Sequence, residues 1–167
     1  MQSTITTARL TLNLLTVDDY EFIEAIVNTK GWIEFIGDRN VHSKEDAIAY
    51  IQKVNATKNL TYWVAKVTAT NTPIGIISFI KRTYLEHFDI GFAFLPEFNG
   101  QGYAYEAAKE VLSIAEKNPA YYPVLATTIP HNVRSIQLLT KLGLHFEKEI
   151  QVEQDKLLVY SNAIAPV

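Results

Sequence analysis

Ile90-Gly91-Phe92-Ala93-Phe94-Leu95-Pro96-Glu97-Phe98-Asn99-Gly100-Gln101-Gly102-Tyr103-Ala104-Tyr105-Glu106-Ala107-Ala108 is the stretch whose reading decides the fold. Its first half is apolar and β-prone, and it stops at Pro96, which cannot donate to a strand ladder. Its second half opens a helix at Gly102, with Ala104, Ala107, Ala108, Val111, Leu112 and Ala115 at helical spacing and an end by Asn118 and Pro119. Glycines at such a strand-to-helix junction let backbone N–H groups converge at the positive end of the helix dipole. That arrangement suits a phosphate or pyrophosphate. It is not a dinucleotide fingerprint, because Tyr105 takes the place of the third glycine, and it lacks the Gly-Lys-Ser/Thr of a P-loop. Taken alone, Gly100-x-Gly102 is equally compatible with a plain turn.

On the N-terminal side, Leu10, Leu12 and Leu14 alternate with polar residues as a half-buried strand does. Thr16 with Asp19, and Ser43 with Asp46, then signal two helix starts, followed by the stripes Phe22, Ile23, Ile26, Val27 and Ala47, Ile48, Ile51, Val54. The segment from Gly31 to Val41 between them reads as irregular. Tyr62–Val67 and Ile74–Lys81 flank a turn at Asn71, Thr72 and Pro73 and predict an antiparallel hairpin, with a further strand over Phe88–Leu95. Beyond the central stretch, Val124–Thr128 predicts a short strand. Asn132 leads into a helix carrying Ile136, Leu138, Leu139 and Leu142, which Gly143 caps. Phe146–Val152 and Lys156–Ser161 predict a last hairpin. The expected order is β-αα-βββ-α-β-α-ββ, a mixed α/β fold with a mostly antiparallel sheet. With no internal repeat and no long linker, residues 1–167 are expected to form a single domain.

Composition narrows the function. The 167 residues are 48% apolar and include no cysteine, which excludes thiol nucleophiles, redox pairs and cysteine metal sites. A formal charge of −3 without a basic cluster argues against nucleic acid. The longest apolar run, Ala47–Ile51, is far short of the ~20 residues of a membrane span. The N-terminus lacks the pattern of a secretory signal, so the cytoplasm is the expected location. His42, His87, His131 and His145 are isolated, and no metal is expected. Ser113 lies outside any Gly-x-Ser-x-Gly elbow, which excludes that hydrolase class.

Pro96 to Ala107 resembles the acetyl-CoA pyrophosphate loop of the GNAT acetyltransferase superfamily. Asn132-Val133-Arg134-Ser135-Ile136, with Leu138-Leu139-Thr140-Lys141-Leu142-Gly143-Leu144, resembles its Asn-x-x-Ser segment and Lys-Leu-Gly-Phe ending. Thr7-Ala8-Arg9-Leu10-Thr11-Leu12 and Asp89-Ile90-Gly91-Phe92 are similar to the branch of ribosomal-protein N-terminal alanine and serine acetyltransferases. Asn99 stands where the loop usually begins with Gln or Arg, Leu144 replaces the usual Phe, and Leu139 occupies a position where many members carry a tyrosine general acid.

The resemblance implies an N-acetyltransferase that moves an acetyl group from acetyl-CoA directly to a primary amine, either a protein N-terminus or a small molecule. The alternative is a non-catalytic acyl-CoA sensor or interaction module, which Leu139 would suit. Phe94, Leu95, Asn99, Gly100, Gln101, Gly102, Tyr103, Ala104, Asn132 and Ser135 are the implied cofactor-binding residues. Ser135 is also implied as hydrogen-bond donor to the leaving thiolate, or else a helix-face contact; Asn132 as a pantetheine contact, an N-cap, or both. Asp89 is the implied base, with Glu86 the alternative and an edge-strand charge the plain reading, while Glu106 suits the helix N-terminus. Trp32, Phe35, Tyr84 and Phe92 belong either to an acceptor pocket or to the core. A cationic amine is expected to enter beside Gly31–Val41, steered by Glu34, Asp38, Glu86 and Asp89. Asp38 could equally close a turn beside Gly37. Acetyl-CoA and the amine are the expected partners, and the chain is read as a monomer or homodimer.

Overall fold

Alternating burial along Leu10–Leu14 and the paired apolar runs from residue 60 onward build a sheet that covers its own backbone polar groups and exposes two faces for packing. The computed structural model describes residues 1–164. Its strands are β1 (Thr4–Thr6), β2 (Leu10–Leu14), β3 (Leu60–Val67), β4 (Thr72–Ile80), β5 (Asp89–Phe94), β6 (Leu125–Thr128), β7 (His145–Val152) and β8 (Asp155–Ser161). The helices are α1 (Tyr20–Val27), α2 (Lys30–Phe35), α3 (Lys44–Ala56), α4 (Tyr103–Glu116) and α5 (Val133–Lys141). The eight strands form one sheet in the order β1-β2-β3-β4-β5-β6-β8-β7. Every neighbouring pair is antiparallel except β5 with β6. The mixed, mostly antiparallel architecture expected from the sequence is the one observed, with β1 and α2 as additions.

Helices cover both faces. Ala107, Ala108, Val111, Leu112 and Ala115 of α4 pack with Leu10, Leu12, Trp63, Phe79 and Ile90 in one core. Phe22, Ile23, Ile26, Ala47, Ile51 and Trp32 pack with Val64 and Ile76 in the other. Between Ala65 and Lys66 the register of β3 on β4 shifts, so that Ile74 is the extra residue opposite no partner. This bulge lets Ile74 join the α4 core while Ile76, two residues on, faces the other one.

The helix signals behave as capping chemistry requires. Ser43 Oγ accepts from Asp46 N at 3.1 Å at the start of α3. The Thr16/Asp19 box caps a 3-10 turn, Val17–Asp19, that runs into α1. Gly143, at φ 90°, closes α5, with Leu144 N donating to Leu139 O.

The segment from Gly31 to Val41, expected to be irregular, instead contributes most of α2. Thr29 caps this helix by accepting from Trp32 N at 3.3 Å. Its six residues are too few to display helical periodicity in sequence.

Gly75 carries a close approach. A Cβ there would lie 2.4 Å from the Phe94 ring. Gly75→Ala is therefore expected to destabilise the fold by about 1–3 kcal/mol, read as a lower melting temperature. Phe94→Ala in the same chain should recover part of that loss, giving a non-additive cycle; simple additivity would place the strain elsewhere.

Candidate active site

β5 and β6 run parallel and pair only at Asp89 and Leu125. Beyond that pair the strands carry no further shared register, so the sheet splits toward their C-terminal ends. A cavity of about 300 Å³ lies there. Asp89, Thr127, Asn132, Ser135 and Leu139 line it, together with Trp32, Phe35, Tyr62, Arg82 and Tyr84. Ligands commonly bind at the carboxyl ends of parallel strands, where neighbouring connections diverge.

Asp89 is 3% exposed and stands at the vertex of the split, in the middle of the sheet rather than on an edge. Its Oδ2 accepts from Arg82 Nε at 2.9 Å and from Thr127 Oγ1 at 3.3 Å. Its Oδ1 is buried without a partner. Burial pushes the carboxyl above its ordinary value, and the charge and hydrogen bond of Arg82 with that of Thr127 offset this only in part. A carboxyl on a cavity wall whose charged form is disfavoured by burial is suited to take up a proton.

On the facing helix, Asn132 Oδ1 accepts from Ser135 N at 3.3 Å and caps α5. The capping reading of Asn132 is thus observed, and the residue also lines the cavity. Ser135 sits one turn into the helix on the same wall, and its hydroxyl has no hydrogen-bond partner among the described residues. Leu139, one turn further on, is buried and brings no hydroxyl.

The loop before α4 has the backbone that the glycines predict. Gly100 and Gly102 have φ of 75° and 81°, and Gly102 caps the helix with no side chain bonded to its first N–H groups. Arg9 holds the loop from outside. Its Nη1 donates to Gln101 O at 3.0 Å, its Nε to Glu106 Oε2 at 2.7 Å, and its guanidinium lies 4.2 Å from the Tyr103 ring centroid. Thr7 Oγ1 also donates to Glu106 Oε1 at 2.6 Å. Partial burial works to raise the Glu106 carboxyl, but the hydrogen bonds from Thr7 and Arg9 outweigh it and hold the group below its usual range. Glu106 therefore sits in the first turn of α4, as expected, and also anchors the N-terminal segment. Among the remaining loop positions, Asn99 N donates to Pro96 O, and Leu95 N to Ile74 O. Phe94 lies against Gly75.

A domain family described as "Acetyltransferase (GNAT) domain" matches residues 9–145. The chain belongs to the GNAT acetyltransferase family. It is 28% identical to the uncharacterized N-acetyltransferase YnaD of Bacillus subtilis over 86% of this chain and 83% of that one. Its fold matches a GNAT-family acetyltransferase from Bacillus anthracis with a TM-score of 0.80, 23% identity, and coverage of 95% and 96% of the two chains. It also matches RimL, a ribosomal L7/L12 α-N-protein acetyltransferase solved with coenzyme A, with a TM-score of 0.82 at 15% identity over 95% and 96%.

As a GNAT member the chain is an acetyl-CoA-dependent acyltransferase, and its own features fit that donor. The N–H groups at the head of α4 are free of side-chain caps, as a pyrophosphate requires. Among the described residues no group of three or more His, Cys, Asp or Glu could hold a metal ion, and no helix is long and apolar enough to cross a membrane.

The acceptor side departs from expectation. Trp32, Phe35, Tyr84 and Phe92 all line the cavity, but of the four expected steering carboxylates only Asp89 does. Asp38 Oδ1 accepts from Asn40 N at 2.8 Å, closing a turn. Glu34 lies 3.7 Å from His131 Nε2. The groups missed from sequence are Arg39, Arg82 and Thr127. Nothing in their spacing marks them, since strand pairing and the split bring them together.

Proposed function

We propose that this GNAT acetyltransferase transfers the acetyl group of acetyl-CoA directly to a primary amine, in the cavity where β5 and β6 part. The observation that carries the reading is the meeting of Asp89, Asn132 and Ser135 on one cavity where the sheet splits. In this proposal the chain acts as a single cytoplasmic domain. When bound, acetyl-CoA supplies an activated thioester. The amides of Gly100 to Ala104 hold its pyrophosphate, that of Asn99 being committed to Pro96 O, and Phe94, Leu95 and Asn132 guide the pantetheine arm.

Asp89 takes the proton of the incoming amine as the new N–C bond forms. Ser135 Oγ–H donates to the sulfur as the C–S bond breaks, stabilising the thiolate. Ser135 fits this part because its hydroxyl has no partner among the described residues, whereas Leu139 has no hydroxyl to offer.

Ser135→Ala should lower kcat by about tenfold with little change in the KM for acetyl-CoA, as expected for a hydrogen bond made mainly in the transition state. Steady-state kinetics with a panel of amines and N-terminal peptides tests both points. Absence of transfer to every amine, with acetyl-CoA still bound, would remove the reading. An unchanged kcat with chemistry rate-limiting would leave Ser135 a packing residue.

A further inference from the structure

The acceptor part of the cavity is rich in hydrogen-bond donors. Arg39, from the segment after α2, lines it, is exposed at the mouth, and forms no ion pair among the described residues. Arg82 reaches it from the β4–β5 connection, with only its Nε committed to Asp89. Arg39, Arg82 and Tyr62 line the same cavity. Trp32 is 4% exposed, yet its indole Nε1–H is buried with no partner. Such a donor is costly unless something accepts from it. The donors are thus two guanidiniums and an unpaired indole, a combination matched by an anion.

Glu153 and Asp155, from the β7–β8 turn, line the same cavity. A carboxylate is matched by the guanidiniums of Arg39 and Arg82, and Glu153 and Asp155 disfavour a second one. One amine with one carboxylate satisfies both sets. The surrounding rings of Phe35, Tyr62 and Tyr84 suit an apolar side chain.

We propose that the acceptor is a free amino acid with an apolar side chain, its carboxylate held by Arg39 and the Trp32 indole N–H. This rests on transfer to a primary amine as set out above. Arg82, tied to Asp89, positions the carboxylate end relative to the base.

The test compares L-phenylalanine and L-leucine with their α-amides, the corresponding decarboxylated amines, spermidine and an N-terminal alanine peptide, at saturating acetyl-CoA. The amino acids should show kcat/KM at least about tenfold above the amides. Arg39→Gln should erase that preference through the KM of the amino acid, leaving the amides and the KM for acetyl-CoA within about twofold. Trp32→Phe, which keeps a ring and removes the N–H, should reduce the preference in the same direction. Amides or decarboxylated amines used equally well, transfer confined to spermidine or the peptide, or a preference untouched by Arg39→Gln would each overturn the proposal. No transfer to any of these amines, with CoA bound normally by calorimetry, would instead overturn the amine-transfer reading and this inference with it.

Discussion

Gly102→Val is expected to weaken CoA binding by about 100-fold or more while the protein remains folded. Gly102 has φ 81°, a region that a β-branched residue enters only at a cost of roughly 1–2 kcal/mol. A Cβ there would lie 3.4 Å from Arg9 Nη2, the guanidinium that holds the loop through Gln101 O. Relief of that strain turns the peptide planes whose N–H groups head α4. The anion cradle is lost because it is made of backbone, which no side chain can replace. Gly143→Val provides the control. Gly143 has φ 90°, a Cβ added to it would meet nothing within 4 Å, and it lies at the opposite end of α5 from Asn132. It should lower the melting temperature comparably and leave CoA affinity unchanged. Calorimetry showing equal CoA affinity in a folded Gly102→Val protein would reduce the Gly-x-Gly to a turn.

Asp89→Asn is expected to lower kcat by about 100-fold or more and to abolish the acidic limb of the pH–rate profile. Burial, only partly offset by Arg82 and Thr127, holds the carboxyl above its ordinary value. In the wild type the rate should therefore climb with pH through a limb above the usual carboxylate range of about 3.9. The same shift has a stability consequence of definite sign. Between the unfolded and folded pKa values the native state binds more protons than the unfolded chain, so stability falls as pH rises across that window. Asparagine removes this slope. If the carboxylate serves only to fix Arg82, Asp89→Asn should lower the melting temperature and leave the shape of the pH–rate profile intact.

Much of this site is legible in the chain without any knowledge of contacts. Two glycines after an apolar strand that ends in proline announce a left-handed turn into a helix, and the backbone there has the positive φ that only glycine adopts easily. Asn132 announces a cap, and Ser135 three residues later falls on the same wall. The second role of Glu106 is not legible. A carboxylate in the first turn of a helix reads as a partner for that helix, but Thr7 and Arg9, distant in the chain, claim it. The acidic steering expected on the acceptor side fails for a related reason. Charge sign along a segment says nothing about which residues turn inward, and Asp38 turns back to its own backbone while Arg39 next to it borders the cavity.

The sequence by itself determined the mixed α/β order, the glycine loop and the Asn-x-x-Ser helix, because each is encoded by residues within one or two turns of one another. Tertiary structure alone decided where the sheet divides. β5 and β6 are separated in the chain by the whole of α4 and meet at a single pair, Asp89 with Leu125, and that one pairing buries Asp89, aligns it with Arg82 and Thr127 and opens the cavity. Strand order and the split depend on long-range pairing and on helices packed against both faces, and neither leaves a periodic trace in the chain.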